Sequence, residues 1–300
     1  MIEKVPYGGW PNCYRLSDGK REVIVTSDVG PRAIRFGLVD GRNVFAEFKE
    51  MQGLTGGDEW RIYGGHRFWH SPEAMPRSYI ADNGPVDVRA EGDHMLHVVQ
   101  PTEAQTGIQK ELTFAMADGC LTVTHGLHNM GLWPITLAPW ALSVMAPGGL
   151  GVIPQPASHH PDNLLPNRTV ALWPYTDMAD ERIHWGTRYV TMRQDVHAGP
   201  TKVGLNAGDG WLAYLNGGVL FVKRFDCRPD GVYPDGGCCV EMYTNQQFLE
   251  AETLGPLTQL APGDCATHVE RWYLFAPVSL TDGSEEAIDR DIKALANSVH

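Results

Sequence analysis

The sequence predicts an all-β protein whose strands form a sandwich or a barrel. Thirty-three glycines and 21 prolines punctuate the 300-residue chain along its whole length. Between them lie short runs in which apolar and polar residues alternate, and this period of two is that of a strand with one buried face. Many short strands between such turn signals are typical of β-sandwiches and β-barrels.

The alternating runs predict the strands in chain order. Three lie near the N-terminus, and the dipeptide Asp40-Gly41 supplies a turn between the second and the third. Two lie near the middle of the chain and three in its C-terminal third. The clearest predicted strands are 22–26, 33–39, 43–48, 121–124, 135–144, 211–215, 219–223 and 271–275.

One helix is predicted over residues 284–297. It opens with Ser284, a good capping residue, and has acidic residues in its first turn, where the helix dipole favours them. Ile288, Ile292 and Leu295 follow at positions i, i+4 and i+7 and form one apolar stripe. We therefore expect the helix to pack on the outside of the sheets.

Composition narrows the class of protein. Apolar residues make up 43% of the chain and charged residues 20%, which suits a globular protein with a substantial core. The net charge of −12 argues against nucleic acid and anionic membrane surfaces as partners. No linker divides the chain, so residues 1–300 are predicted to form a single domain. The segment 154–182, rich in Pro, Asn, Asp and His, is predicted to be a long functional loop.

The cysteines and the N-terminus predict a cytoplasmic location. Six scattered cysteines without a C-x-x-C pair favour free thiols in a reducing compartment. The first residues lack the apolar region of a signal peptide. No apolar run approaches the roughly 20 residues that a membrane-spanning helix needs.

A pair of acids provides the most informative candidate site. Glu250 and Glu252 lie two residues apart in a run that has the pattern of a strand, so both side chains point to the same face. A Gly-Pro break, a Pro-Gly turn and a returning strand follow. Two acids beside aromatic residues suit sugar chemistry, although two solvated glutamates on an outer face would have the same pattern.

A second candidate site follows the Gly-Gly pair at 64–65, which allows close approach of the backbone. If a strand follows, His66 and His70 share one face, and Arg67 and Trp69 share the other. Two histidines four residues apart on one face of a strand could bind a metal. A sugar site is favoured because Arg and His donate hydrogen bonds and Trp stacks on pyranose rings, while core packing remains the structural alternative.

The remaining candidates are weaker. His159 lies in the long loop and could line the mouth of a cleft, or belong to an ordinary polar loop. Arg168, Lys202 and Lys223 are isolated cations, any of which could bind a carboxylate or a phosphate. The chain carries no phosphate-binding loop, dinucleotide fingerprint or serine-hydrolase motif, and neither a cofactor nor a metal is predicted.

The chain resembles the galactose mutarotase-like superfamily, which includes the aldose 1-epimerases, and within it an uncharacterised bacterial branch. Residues 28–48 are similar to the family's opening hairpin. Residues 64–70 match the place of its sugar-binding Arg or His, 121–144 its paired central strands, and 248–275 its end strands with the catalytic Glu. The resemblance implies a β-supersandwich that binds a small sugar on its concave sheet.

The resemblance also implies a mechanism. In the family, a Glu takes the proton of the anomeric hydroxyl while a His protonates the ring oxygen, and the ring recloses on either face. Glu252 matches the catalytic Glu because Glu252-Thr253 falls on the family's Glu-Thr pair, with Glu250 as the alternative. Arg67 and His66 match the sugar-binding position.

One position departs from the family pattern. Trp140 stands where the epimerases have their acidic His, so the acid would have to be His66, His70 or His159. We expect His66, Arg67 and Glu252 to line one cavity floored by Trp69 or Trp140. The leading interpretation is a mutarotase; the alternatives are a sugar-binding protein without activity and a lyase or isomerase with a His/Glu metal site.

Overall fold

The computed structural model describes residues 1–156, 162 and 164–299, and its regular structure is almost entirely β-strand. The 21 strands of these residues are numbered in chain order. They are β1 (Ile2–Tyr7), β2 (Trp10–Ser17), β3 (Arg21–Thr26), β4 (Arg32–Leu38), β5 (Gly65–Ser71), β6 (Asp87–Glu91), β7 (Met95–Val99), β8 (Ile108–Ala117), β9 (Cys120–Asn129), β10 (Ile135–Met145), β11 (Leu150–Pro154), β12 (Val170–Leu172), β13 (Ile183–Trp185), β14 (Tyr189–Arg193), β15 (Thr201–Leu205), β16 (Trp211–Asn216), β17 (Val219–Phe225), β18 (Val240–Thr244), β19 (Leu249–Leu254), β20 (Thr258–Leu260) and β21 (Cys265–Phe275).

Two antiparallel sheets are formed. The first runs β1-β2-β3-β4-β5-β10-β19-β18-β15-β12, with β20 paired to β10 as its eleventh strand. The second has ten strands in the order β13-β14-β11-β16-β17-β21-β9-β8-β7-β6. The all-β sandwich predicted from the sequence is confirmed.

The core lies between the two sheets. Strand β8 shows the expected alternation, since every second residue of Ile108–Ala117 is buried. An aromatic cluster joins the sheets at the centre, where the rings of Phe36 and Phe45 from the first sheet's side meet Phe221 and Trp272 of the second at centroid distances of 5.4 to 6.2 Å.

Seven of the eight clearest predicted strands are present, and residues 43–48 are the exception. One loop prediction also needs correction. Residues 43–48 make only isolated bridges, because the Asn43 side chain accepts hydrogen bonds from the backbone N–H groups of Phe36 and Phe45 (both 3.1 Å) and replaces the ladder. The segment 154–182, predicted as a loop, contains the short strand β12, which pairs with β15 at the edge of the first sheet.

The C-terminal helix is confirmed. It consists of α1 (Glu285–Ile288), a π-helical turn (Asp289–Lys293) and α2 (Ala294–Asn297), and a short 3₁₀ turn at Arg77–Tyr79 is the other helical element of the described chain. The Ser284 hydroxyl accepts a hydrogen bond from the Ala287 N–H (3.2 Å). Its apolar stripe packs on the outer face of the second sheet, against residues that include Tyr189, Trp211 and Tyr273.

The glycine pair at 64–65 brings backbones together, as the sequence predicts. Gly64 and Gly65 have φ angles of +84° and +74°, which L-residues with a side chain rarely adopt. A Cβ atom on Gly65 would lie 2.1 Å from the Ala33 carbonyl oxygen. The pair therefore allows the start of β5 to lie directly against β4.

The expectation of free thiols needs one correction. Cys227 and Cys239 form a disulfide with their Cα atoms 6.0 Å apart, while Cys13, Cys120, Cys238 and Cys265 are free. The two partners are separated by 12 residues, and folding rather than a spacing motif brings them together. None of the helices in the described part of the chain has the length and apolarity needed to cross a bilayer.

Candidate functional site

Strand pairing assembles a row of charged side chains on the outer face of the first sheet. Arg67 of β5 lies opposite Leu142 of β10, Leu142 opposite Glu252 of β19, and Glu252 opposite Glu241 of β18. Since opposite residues in a ladder share a face, these four side chains all point away from the second sheet. Glu250 joins them because it lies two residues from Glu252 on the same strand.

A cavity of about 560 Å³ lies over this row. Cavities of about 580 and 620 Å³ occur elsewhere in the described structure, but this one combines tryptophan rings with buried ion pairs. Its aromatic lining consists of Trp60, Trp69, Tyr79, Trp140, Trp173, Tyr175, Tyr243 and Phe248, and its charged lining of Arg67, Glu73, Lys202 and Glu250. Concave sites with few polar groups and many aromatic ones are typical of small-molecule binding.

One ion pair joins Arg67 to Glu250. The guanidinium Nη1 lies 2.6 Å from Glu250 Oε1, and both side chains are more than nine-tenths buried. The guanidinium also stacks over Trp69, at 4.6 Å from the ring centroid, and over Trp60 at 5.4 Å. Burial raises the pKa of the Glu250 carboxyl, and the positive charge of Arg67 opposes this effect.

A second charged cluster joins Lys202 to Glu241 and Glu252 at the floor of the cavity. Lys202 Nζ lies 2.7 Å from Glu241 Oε2 and 3.0 Å from Glu252 Oε2, and the Trp140 indole N–H donates to the same Glu252 oxygen at 2.8 Å. The ammonium also lies over the rings of Trp140 and Trp173, at 4.7 and 4.5 Å. Burial alone would lower the pKa of Lys202, but the two carboxylates outweigh it and raise the pKa above its usual range. Burial raises the pKa of Glu241 well above its ordinary value.

The structure brings together several of the residues expected from the sequence. Arg67, Trp69, Trp140 and Glu250 all line the cavity. Glu252 is on the same face but is fully buried under Lys202 and Trp140, and it has no surface in the cavity. Of the two acids Glu250 and Glu252, Glu250 is therefore the one that a ligand in the cavity can reach.

The two histidines of β5 lie on the opposite face, so the expectation that His66 shares a cavity with Arg67 and Glu252 is not met. The strand continues its alternation after the glycine pair, and His66 and His70 point between the sheets, fully buried. His66 contacts Ser143 Oγ and His125 Nε2, each at 2.8 Å. His70 has no hydrogen-bond partner for either ring nitrogen, and burial lowers its pKa to about 2.

The loop candidates do not join the cavity either. Arg168 lies 3.4 Å from the Pro156 carbonyl oxygen and from Gln155 Oε1, and it is absent from the cavity lining. His159 lies outside the described residues.

Sequence reasoning missed the partners that surround these residues. Lys202 was expected only as an isolated cation, and nothing in the sequence paired it with Glu241 or Glu252. Alternation within β15 and β18 assigns each of them to a face, but only the pairing of β15, β18 and β19 shows that the three charged groups meet. Trp60 and Trp173 lie outside the strands, so no periodicity could have indicated them.

A buried polar network connects the two sheets behind the site. Donor atoms of His66, His125 and Glu270 lie within 4.8 Å of one another and could hold a metal ion. These three residues are already hydrogen-bonded within the protein. His66 Nε2 and His125 Nε2 are 2.8 Å apart, His125 Nδ1 donates to the His268 carbonyl (3.0 Å), and Glu270 accepts from Lys223 (2.8 Å) and from the Trp272 indole (2.7 Å). Burial lowers the pKa of His125 to about 4, so its imidazole is neutral near pH 7.

Comparison with known proteins identifies the fold. No protein-family model and no curated protein matches the sequence. Solved structures do match. A galactose mutarotase-like protein of Lactobacillus casei superposes with a TM-score of 0.55 at 11% identity, over 88% of this chain and 100% of the other. One from Clostridium acetobutylicum gives 0.56 at 12% identity, over 92% and 98% of the two chains.

A third match is a candidate aldose 1-epimerase of Escherichia coli K12, with a TM-score of 0.57 at 12% identity over 88% of this chain and 99% of the other. Such low identities with nearly complete coverage show a shared architecture. They show the predicted fold: the chain has the galactose mutarotase-like β-sandwich fold.

Proposed function

We propose that this protein binds a small sugar in the cavity over Arg67 and Glu250, and that it interconverts the anomers of that sugar. The proposal rests on one observation: the cavity combines tryptophan side chains with an ion pair that offers a donor and an acceptor side by side. Sugar rings present both apolar C–H faces and hydroxyl groups, so such a lining matches both parts of the molecule. The fold it shares with galactose mutarotase-like proteins supports the same conclusion.

Glu250 is our candidate for the base. It is the carboxylate of the pair that has surface in the cavity, and its raised pKa brings it closer to the range in which a side chain can accept and release protons near neutrality. It would take the proton of the anomeric hydroxyl as the bond between C1 and the ring oxygen breaks. Glu252, the base expected from the sequence, remains the alternative.

The proton for the ring oxygen would come from another part of the lining. The described lining contains no histidine, but the hydroxyls of Tyr79, Tyr175 and Tyr243 are donors. Burial raises the pKa of all three tyrosines, so each hydroxyl keeps its proton near pH 7. After the opened sugar rotates about C1–C2, the reverse transfers reclose the ring and leave the protein unchanged.

A second candidate function is sugar binding without catalysis. The observation that favours it is the state of Glu252, which is fully buried and bound to Lys202 and Trp140 in place of a substrate. If Glu250 serves only to hold Arg67 in place, the cavity retains the groups needed for binding but lacks a base.

The test is magnetisation-exchange NMR on a panel of aldoses, with a thermal-shift measurement on the same panel. We expect at least one sugar to raise the melting temperature and to exchange its anomers faster than in buffer. A sugar that raises the melting temperature without faster exchange would favour the binding protein. A panel without any effect on either measurement would contradict both functions.

A further inference from the structure

We infer that the cavity selects uncharged sugars and rejects sugar phosphates and uronic acids. The inference rests on the proposed sugar-binding function and narrows its substrate class. Recognition of a phosphate or carboxylate needs guanidinium or ammonium groups that are free to bind it. Arg67 and Lys202 are the cations of the described cavity lining, and both are already neutralised by the protein.

The Arg67 guanidinium is held on several sides. Its Nη1 donates to Glu250 at 2.6 Å, and its plane stacks against Trp60 and Trp69. With its side chain only 3% exposed, the group cannot swing out to meet a ligand. An anionic ligand would have to compete with Glu250, a carboxylate that is already in place and desolvated.

Lys202 is enclosed more completely. Its ammonium contacts Glu241 and Glu252 at 2.7 and 3.0 Å and lies between the rings of Trp140 and Trp173. Glu252 by itself balances the charge of the ammonium, so the group has no net positive charge left to attract a phosphate.

The charge of the whole site points in the same direction. The described lining and the layer beneath it hold two cations and four acids, the acids being Glu73, Glu241, Glu250 and Glu252. An anion would enter a site without a free counter-charge, and burial of an unpaired charge is costly. A neutral hydroxyl can instead accept from the guanidinium and donate to Glu250, so an uncharged sugar leaves the ion pair intact.

Calorimetric titration of matched ligands tests the inference in the wild-type protein. The probes are galactose, galactosamine, galacturonic acid and galactose 6-phosphate, and the corresponding glucose series. We expect the uronic acid and the phosphate to bind at least tenfold more weakly than the parent sugar, and the amino sugar to bind at least as tightly. Equal or tighter binding of the anionic sugars would overturn the inference and leave the proposed function standing.

Two substitutions test the physical cause. Glu250→Gln frees Arg67, so we expect the affinity for the anionic sugars relative to the neutral one to rise at least tenfold. Glu73→Gln is the matched control, because it removes a negative charge from the same cavity without freeing a cation. In Glu73→Gln, the affinity for the anionic sugars relative to the neutral one should change by less than threefold.

Arg67→Gln covers the case in which Glu250→Gln does not fold. It leaves Glu250 unpaired and should shift the preference toward galactosamine. Melting temperatures are measured first for all variants. Glu250→Gln and Arg67→Gln should shift the ligand preference in opposite directions, and shifts in the same direction would contradict the inference. Absence of binding by every sugar would instead remove the proposed function on which the inference rests.

Discussion

At the scale of single residues, Trp140 shows how the site differs from the pattern that the sequence resembles. A histidine at this position would supply a proton, whereas the indole N–H of Trp140 donates a permanent hydrogen bond to Glu252. That bond and the ammonium of Lys202 hold Glu252 below the cavity floor. Glu250, and not Glu252, is therefore the acid of the pair that lines the cavity.

Glu250→Gln and Glu252→Gln are predicted to have different effects. Glu250→Gln should lower the anomer exchange rate by about 10²–10⁴, since the amide cannot accept the proton. Loss of one neutral hydrogen bond should weaken sugar binding by only about 1 kcal/mol. Exchange NMR and calorimetry on the two purified variants measure both quantities.

Glu252→Gln should act mainly on stability. It removes a charged partner of Lys202 but leaves Glu241 in place, so we expect a loss of about 1–3 kcal/mol of unfolding free energy. Its exchange rate should fall less than tenfold. The opposite pattern, with exchange lost in Glu252→Gln and kept in Glu250→Gln, would restore Glu252 as the base.

At the scale of elements, β5 serves two parts of the molecule at once. Its odd-numbered residues Arg67 and Trp69 face the cavity, while His66 and His70 face the core between the sheets. The alternation was readable in the sequence, and it already placed His66 and Arg67 on opposite faces. A cavity shared by His66 and Arg67 would have required a bend in the backbone at the glycine pair. The structure instead has a close approach of two strands at that point.

Gly65→Ala is predicted to damage this element. A Cβ at 2.1 Å from the Ala33 carbonyl oxygen cannot be accommodated unless β4 and β5 separate, and the positive φ adds strain. We expect a loss of unfolding free energy on the order of 1–3 kcal/mol and weaker sugar binding. Urea unfolding measures the first effect and titration the second.

Gly84→Ala is the matched control, because a Cβ at Gly84 meets no heavy atom within 4 Å. It should leave the unfolding free energy within about 0.5 kcal/mol of the wild-type value. Equal stability of Gly65→Ala and Gly84→Ala would show that β4 and β5 separate easily.

At the scale of the whole molecule, the buried polar network ties the sheet that carries the site to the sheet behind it. His66 and Ser143 belong to the first sheet, and His125 and Glu270 to the second. Thr253 of β19 also donates to Glu270 at 2.5 Å. Protonation of His66 or His125 would disturb these hydrogen bonds, because burial holds both imidazoles neutral.

The network predicts that stability falls on acidification below about pH 6.5. Burial lowers the pKa of His66, that of His125 to about 4 and that of His268 to about 3, whereas in the unfolded chain each imidazole titrates near 6.5. Between these values the unfolded state binds more protons, so the stabilisation is complete above pH 6.5 and is lost as the pH falls toward the folded values. The loss is on the order of 2 kcal/mol for each such imidazole between pH 7 and pH 5.

Urea unfolding at pH 7, 6 and 5 measures this effect. His125→Gln should reduce the dependence on pH, whereas His94→Gln, at an exposed position, should not. Stability that stays constant from pH 7 to pH 5 would mean that the buried imidazoles titrate as they do in the unfolded chain.

Features that depend on neighbouring residues could be predicted from the sequence, whereas features that depend on distant partners could not. Strand alternation and the helix cap act over a few residues, so β3, β4, β10 and the helix at 285–297 could be read directly. The disulfide between Cys227 and Cys239 and the edge strand β12 depend on partners that a local pattern does not reveal.

The sequence by itself determined the all-β class and the C-terminal helix. It also determined that Arg67 shares a face with Trp69 and that Glu250 shares one with Glu252, because the alternation of side chains along a strand is a property of adjacent residues. Only the tertiary structure decided that these two faces meet across β10 and that Lys202, 50 residues from Glu252, neutralises it. The physical reason is that strand order and register arise from burial and backbone pairing between distant segments. They determine which charged groups become partners and which one remains open to a ligand.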